Sequence, residues 1–458
     1  MTPPVRRVAA AEVRAALVGA RQVAVLDDDP TGTQTVRDLP VLTRWSADDI
    51  RWALRQGRAG FFVLTNTRSL APGDAAARDR EVAEACLAAA ESEGVPLAFA
   101  SRSDSTLRGH FPLETDVLGE VVARHGGEVD GILLAPAYVD AGRVTIDGTH
   151  WLRTGEDLVP VAESEFARDA TFGYRSSRLA EWVAEKSAGR IPSSSVAELR
   201  LTAIRTGTTD TLRAGLQGPV VVLDADEDDD LRASVLAILA AEADGKTFLY
   251  RVGPSFVRAR VGQDAHPPID DATLAQLVRH DTHGLVVVGS HVGLTSRQLA
   301  HLAGRRAFTT VELDVPVLLD EARAEQHLRD AVTTATTALT ESLVVLQTSR
   351  TLVTGQDEAH SLDIARRVSA ALTRVAGEIV AARRPSFVVA KGGITSSDVA
   401  TGALGIDRAW IRGSLLPGIV SLWEPASGPA QGLPYVVFAG NVGGKTSLAD
   451  VIERLENA

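Results

Sequence analysis

Short apolar runs that stop abruptly in polar loops recur along the chain. The run 23–26 ends at Asp27, Asp28 and Asp29, followed by Pro30, Thr31, Gly32, Thr33, Gln34 and Thr35. The run 61–64 enters Thr65, Asn66, Thr67, Arg68 and Ser69, and the run 97–100 enters the polar stretch 101–110. Further apolar runs at 131–135, 220–223, 285–288, 310–313, 343–347, 387–390 and 435–438 predict strands. Between them, helical spacing predicts helices over 6–20, 74–92, 113–125, 176–187, 231–243, 296–303 and 360–383. Period-two alternation is weak in the strands, the pattern of a sheet covered by helices on both faces. The expected fold class is therefore α/β, with largely parallel sheets flanked by helices.

Arg143 to His150 reads as a small hairpin. The segment 261–271 (VGQDAHPPIDD) is polar, turn-rich and hostile to helix, which predicts a boundary. The expected organisation is a domain over 1–260, a linking segment over 261–284 and a second domain over 285–458. The acidic cluster Asp224, Asp226, Glu227, Asp228, Asp229 and Asp230 precedes the helix 231–243 and reads as a helix cap rather than a metal site.

Composition narrows the classes. At 458 residues and 45% hydrophobic, the chain is too long for one ordinary core and too apolar for disorder. A net charge of −12 argues against nucleic acid or an anionic membrane as a bulk partner. The single cysteine, Cys86, excludes an internal disulfide framework and a cysteine-built metal centre. With no signal-like start and no 18-residue apolar run, a cytoplasmic location is expected.

Open α/β sheets bind ligands beyond the carboxyl ends of their strands. The loops 27–35, 65–69 and 101–110 together offer Asp28, Asp29, Thr31, Asn66, Arg68, Arg102, Asp104, Ser105, Thr106 and Arg108. Arginine matches a carboxylate; aspartate accepts hydrogen bonds from hydroxyls and can take the proton of a nucleophilic one. A small polyhydroxylated acid fits that inventory.

Two glycine-rich loops follow strands in the second half: Lys391, Gly392, Gly393, Ile394, Thr395, Ser396, and Gly440, Asn441, Val442, Gly443, Gly444, Lys445, Thr446. Backbone N–H groups in such loops cradle phosphate. A third candidate is the loop around Gly289, Ser290 and Thr295, with Thr295 and Ser296 expected as helix caps; Thr395 or Ser396 is expected to cap the next helix. The Gly-Lys-Thr ending at 446 is not expected to be a Walker A loop, although phosphate contact by it is still expected. Ala439 stands where the first glycine belongs, and only twelve residues follow Thr446, too few for a strand carrying a magnesium-binding acid.

These loops resemble those of the four-carbon acid sugar kinases. The Asp-Asp-x-Thr-Gly signature of that family is met by Asp28, Asp29, Pro30, Thr31 and Gly32; Asp-Ser-Thr-x-Arg-Gly is met by Asp104 to Gly109. The stretch Ala135, Pro136, Ala137 and the hairpin with Gly142, Arg143 and Gly148 also resemble the family. Gly289, Ser290, Thr295 and Gln298 resemble its first ATP-side loop, and Lys391, Gly392, Gly393, Thr395 and Ser396 its second. Arg102 stands where the family usually has lysine, and the terminal loop 439–446 departs from the family pattern.

The resemblance implies ATP-dependent phosphorylation of the C4 hydroxyl of a threonate, erythronate or oxo-tetronate, in a cleft between the two domains. It places the acid in the first domain, its carboxylate on Arg68, Arg102 and Arg108, its hydroxyls on Asp28, Asp29 and Asp104, with Asp29 the preferred base. It assigns ATP to the second domain, on Gly289, Ser290, Thr295, Lys391, Gly392, Gly393, Thr395, Gly440, Asn441, Gly443, Gly444 and Lys445, with Mg²⁺ carried by the nucleotide. No dedicated protein metal site is expected, and a homodimer is the general expectation for such enzymes. Two other readings are a sugar-acid dehydrogenase, which lacks its Gly-x-Gly-x-x-Gly turn after the first strand, and a two-lobed acid-binding protein, which leaves the separate glycine loops without a purpose.

Overall fold

The computed structural model describes residues 3–350, 353 and 356–458, and the chain divides into two units, Met1–His266 and Pro267–Ala458. In chain order the first unit contains β1 (Gln22–Asp27), β2 (Leu39–Leu42), β3 (Gly60–Leu64), β4 (Leu97–Arg102), β5 (Gly131–Ala135), β6 (Arg143–Ile146), β7 (Thr149–Thr154), β8 (Asp157–Pro160), β9 (Val196–Leu199), β10 (Val220–Leu223) and β11 (Phe248–Val252). Its main sheet runs β2-β3-β1-β4-β11-β5-β10-β9, with every neighbouring pair parallel.

Register decides where the polar loops emerge. Asp27 lies opposite both Leu64 on β3 and Arg102 on β4, and Arg102 lies opposite Val252 on β11. Four neighbouring strands thus end at one level, and the chain segments after Asp27, Leu64 and Arg102 leave the sheet side by side. Below that edge, Ala24, Leu26, Phe61, Val63 and Phe99 pack against Val82, Ala83 and Cys86 of the helix Pro72–Glu93. Burial of such aliphatic and aromatic side chains is the main force fixing the strands.

The hairpin expected at 143–150 is the start of a separate antiparallel sheet, β6-β7-β8. The acidic cluster divides its tasks. The helix starts at Asp228 rather than 231 and runs to Ala243, because Glu227 and Asp230 form a reciprocal capping box. Asp224 stands apart from these later acids: it accepts the N–H groups of Asp147, Gly148 and Leu201 at 2.8, 2.9 and 3.1 Å and so ties the hairpin turn to the sheet edge.

The second unit contains β12 (Leu285–Val288), β13 (Thr309–Leu313), β14 (Val344–Thr348), β15 (Val388–Lys391), β16 (Arg408–Leu416), β17 (Ile419–Pro425) and β18 (Tyr435–Phe438). They are ordered β13-β14-β12-β15-β18-β17-β16. The first five are parallel and the last two join antiparallel. β16 and β17 form a hairpin that the apolar-run pattern did not reveal, since charged and aromatic residues interrupt both segments.

Two expected helix caps are corrected. The helix after β12 spans Gly293–Arg305, so Thr295 and Ser296 lie inside its first turn, and no side chain caps it. The helix after β15 begins at Gly393, which likewise places Thr395 and Ser396 inside it. Thr295 donates instead to the Gly440 carbonyl, Ser296 accepts from Arg350, and Ser396 donates to the carbonyls of Ala390 and Gly392. No helix among the described residues is long and apolar enough to cross a membrane.

Candidate functional site

At the carboxyl edge of β1, β3, β4 and β11, carboxylates and guanidinium groups alternate. Asp27 is buried and paired with Arg102, which also donates to the Asp29 carbonyl at 3.0 Å. Arg68 grips Asp28 with two prongs, Nε to Oδ2 at 3.0 Å and Nη2 to Oδ1 at 2.5 Å, and reaches Asp29 at 3.3 Å. Arg108 donates from Nε to Asp104 at 2.7 Å and lies 3.6 Å from Asp169, with its guanidinium over the Phe166 ring. Arg251, buried on β11, pairs with Glu114 at 3.4 Å and donates to the Arg108 carbonyl at 3.3 Å. Each of these four arginines is therefore already matched by a carboxylate.

Electrostatics separates the acids. Burial pushes Asp27 and Asp28 above the ordinary carboxylate range, although Arg102 and Arg68 pull them back. For Asp29, burial acts in the same direction but is outweighed by Arg68, Arg102 and two hydrogen bonds from Thr31, so it is held low. Asp104 is also held low, because Arg68, Arg108 and the Thr106 hydroxyl overcome its burial. Asp29 is the more open of these two ionised acids, with 27% of its side chain exposed.

The loop backbone is fixed from beneath. Asn66 and Leu107 adopt left-handed conformations, at φ 53° and 69°, an unfavourable state for a leucine that the surrounding bonds maintain. His150 Nε2–H donates to the Ser105 carbonyl at 2.8 Å while Nδ1 accepts from Thr145; burial lowers its pKa to about 4, so it is a neutral brace. The Tyr174 hydroxyl donates to the Thr106 carbonyl at 2.7 Å. His110 Nε2 meets the carbonyls of Thr67 and Leu70, each at 3.1 Å, joining two loops. Gly32 is required by contact: a Cβ there would collide with the Arg102 guanidinium and the Asp27 carboxylate.

All ten polar residues singled out in the three loops stand at this edge or in the loops leaving it. Arg102 faces inward to Asp27 and is buried, whereas Arg68 and Arg108 keep part of their surface open. Sequence reading missed Asp27, Glu114, Asp169 and Arg251 as members of the cluster. The available signal for Arg251 was a lone charge inside the otherwise apolar FLYRV stretch.

In the second unit, three loops leave the carboxyl ends of the adjacent strands β12, β15 and β18. They touch through small residues: a Cβ on Gly289 would strike the Thr395 hydroxyl, and one on Gly440 would come within 2.5 Å of Ser290 Oγ. Thr295 Oγ1 donates to the Gly440 carbonyl at 3.1 Å. A Cβ added at Gly393 or Gly444 would meet nothing within 4 Å, so both face open space. Asn441 and Lys445 are exposed.

Lys391 has a different place from that expected of a phosphate ligand. It is fully buried, donates from Nζ to the Ala439 carbonyl at 2.7 Å and sits 3.7 Å above the Phe438 ring centroid. Burial lowers its pKa to about 7. It braces the terminal loop from below, while Lys445 stands at the surface.

Comparison with known proteins matches the two units in order. The model of a sugar-binding N-terminal domain matches residues 23–260, and that of a nucleotide-binding C-terminal domain matches residues 285–448. The D-threonate kinase of Salmonella typhimurium (strain LT2) is 28% identical over 411 residues, 87% of this chain and 89% of that protein. The D-erythronate kinase of Heliobacterium modesticaldum is 29% identical over 278 residues, 58% of this chain and 55% of that protein. A solved structure from Salmonella typhimurium LT2 shares the fold with a TM-score of 0.67 at 18% identity, covering 94% of this chain and 98% of that one.

Proposed function

Because this chain belongs to the four-carbon acid sugar kinase family, we propose that it transfers the γ-phosphoryl group of ATP to the C4 hydroxyl of a threonate, an erythronate or an oxo-tetronate. The carrying observation is the ordered match of a sugar-binding domain to 23–260 and a nucleotide-binding domain to 285–448, each with its polar or glycine loops at strand carboxyl ends.

The acid binds in the first unit. Its carboxylate meets the open faces of Arg68 and Arg108, with Arg102 holding the charge of the loop behind them. Asp28, Asp104, Thr31, Asn66, Ser105 and Thr106 supply hydrogen-bonding groups for the hydroxyls. Asp29 accepts the C4 proton as the hydroxyl oxygen bonds to the γ-phosphorus, the bond to the bridging oxygen breaks, and ADP departs. An ionised, partly exposed carboxylate held in place by Arg68 suits that step.

ATP binds in the second unit on Gly289, Ser290, Gly392, Gly393, Gly440, Asn441, Gly443 and Gly444, with Thr295 and Thr395 holding the loops and Lys445 at the phosphates. Val292 and Ile394 are 46% and 69% exposed beside these loops and offer apolar surface to the base. Mg²⁺ is taken to travel with the nucleotide, where it offsets the phosphate charge that builds during transfer.

The test is ADP release with Mg-ATP across D- and L-threonate, D- and L-erythronate and the corresponding oxo acids. Turnover on one member supports the reading and names the acceptor. Silence across the panel with ATP bound overturns the tetronate assignment, and failure to bind ATP overturns the nucleotide assignment.

A further inference from the structure

Gln298 belongs to the motif that resembles an ATP-side loop, yet it is fully buried on the helix Gly293–Arg305 and offers no surface to a ligand. Its Nε2 donates to two carbonyls of the terminal loop, Val442 at 3.1 Å and Gly444 at 2.8 Å. One turn earlier, Thr295 donates to the Gly440 carbonyl at 3.1 Å. One helix face therefore holds alternate carbonyls of the loop: those of 440, 442 and 444.

A trans peptide points its N–H opposite to its C=O. With the carbonyls of Gly440, Val442 and Gly444 drawn towards the helix, the N–H groups of Asn441, Gly443 and Lys445 are turned away from it. The Gly444 N–H is not part of that row, because it donates to Ser447 Oγ at 2.9 Å. Gly443 can take its place only with a positive φ, here +84°, and a Cβ there would come within 2.5 Å of Ser447 Oγ. The buried Oε1 of Gln298 has no hydrogen-bond partner, so the side chain keeps an unsatisfied acceptor in order to place its amide against both carbonyls.

We propose that Gln298, with Thr295, is a positioning residue that pre-sets the amides of Asn441, Gly443 and Lys445 as a three-point receptor for the nucleotide's phosphates. This rests on the ATP reading of the second unit and narrows it. Of the residues 441, 443, 444 and 445, three offer their backbone N–H groups to the phosphates, and Gly444 does not because its N–H is already taken by Ser447.

Gln298→Met keeps the volume and removes both donors; Thr295→Val keeps the shape and removes the third. Amide hydrogen exchange on the unliganded full chain reads the loop without reference to activity. Exchange over 439–447 should rise in Gln298→Met while the strands β12 and β15 stay protected; an unchanged loop overturns the clamp. In steady-state turnover both variants should raise KM for ATP by about tenfold, with kcat and KM for the acid within about twofold, the pattern of lost binding preorganisation. A loosened loop with an unchanged KM for ATP overturns the link to phosphate. Equal losses in every parameter together with a lowered Tm would show a merely structural role. If the wild-type chain itself binds no ATP, the nucleotide reading fails, and the exchange experiment still decides whether the clamp exists.

Discussion

Arg68 and Asp28 form a two-pronged ion pair at the carboxyl edge of the first sheet, with contacts of 3.0 and 2.5 Å and Asp28 only 3% exposed. The same guanidinium reaches Asp29, so one side chain sets the position of two neighbouring acids. Asp28→Asn should leave Arg68 buried beside a half-lost partner and lower stability by about 3 kcal/mol, with turnover falling below detection. Urea unfolding and ADP release measure both. A stability change under about 1 kcal/mol would show that Arg68 is compensated elsewhere.

Asp29→Asn separates chemistry from binding. Turnover should fall by about 10²–10⁴-fold while KM for the acid stays within about threefold, the signature of a lost proton acceptor. Because Arg68, Arg102 and Thr31 hold Asp29 below the ordinary carboxylate range, its protonation should leave kcat flat down to about pH 5. A kcat limb near neutrality that disappears in Asp29→Asn would be incompatible with this environment.

The buried ammonium of Lys391 gives unit two a pH signature. Burial lowers its folded pKa to about 7 from an ordinary 10.5. Between those values the unfolded chain holds the proton and the folded chain does not, so this group makes stability rise with pH across that window. Lys391→Met abolishes the dependence. Relative to wild type, the variant should be most favoured at pH 6 and keep only part of that advantage at pH 9, as read by urea midpoints at both values. An advantage that grows with pH would reverse the assignment.

Gly32→Ala tests close approach. Its new methyl group would collide with the Arg102–Asp27 pair, and any shift of that pair displaces the Asp29 carbonyl that Arg102 holds. The expected cost is about 2 kcal/mol or more, with strongly reduced turnover. Wild-type Tm with full activity would show that the loop yields freely.

Cys86 is buried in the core behind the edge, and desolvation pushes its thiol up to about 12. A thiol-reactive dye should label it only on unfolding. Labelling of the native protein at the rate of a free thiol would reveal opening of the helix Pro72–Glu93.

Much of this architecture is legible in the sequence because buried parallel strands are short apolar runs with sharp polar ends. β1, β3, β4, β12, β15 and β18 all announce themselves in that way. β16 and β17 do not, because Arg412 and Glu424 pair with each other within the hairpin and interrupt the apolar pattern. Thr295 and Thr395 read as caps because hydroxyls near a helix start commonly serve that purpose; here loop packing claims both side chains. The partners of the arginines were not legible either. Asp27 meets Arg102 through parallel register and Glu114 meets Arg251 through a helix packed on the sheet, relationships with no local spacing to betray them.

The matching of each arginine at the first site has a consequence for discrimination. A simple anion such as chloride or sulfate brings charge but no hydroxyl donors, so drawing Arg68 or Arg108 towards it would leave an aspartate stranded with nothing in return. A hydroxy acid presents both halves of the exchange at once: an acceptor for the guanidinium and donors for the carboxylate it leaves. On the proposed reading, a hydroxy acid would be favoured over a bare anion because it supplies an acceptor for the open guanidinium faces and donors for the aspartates together.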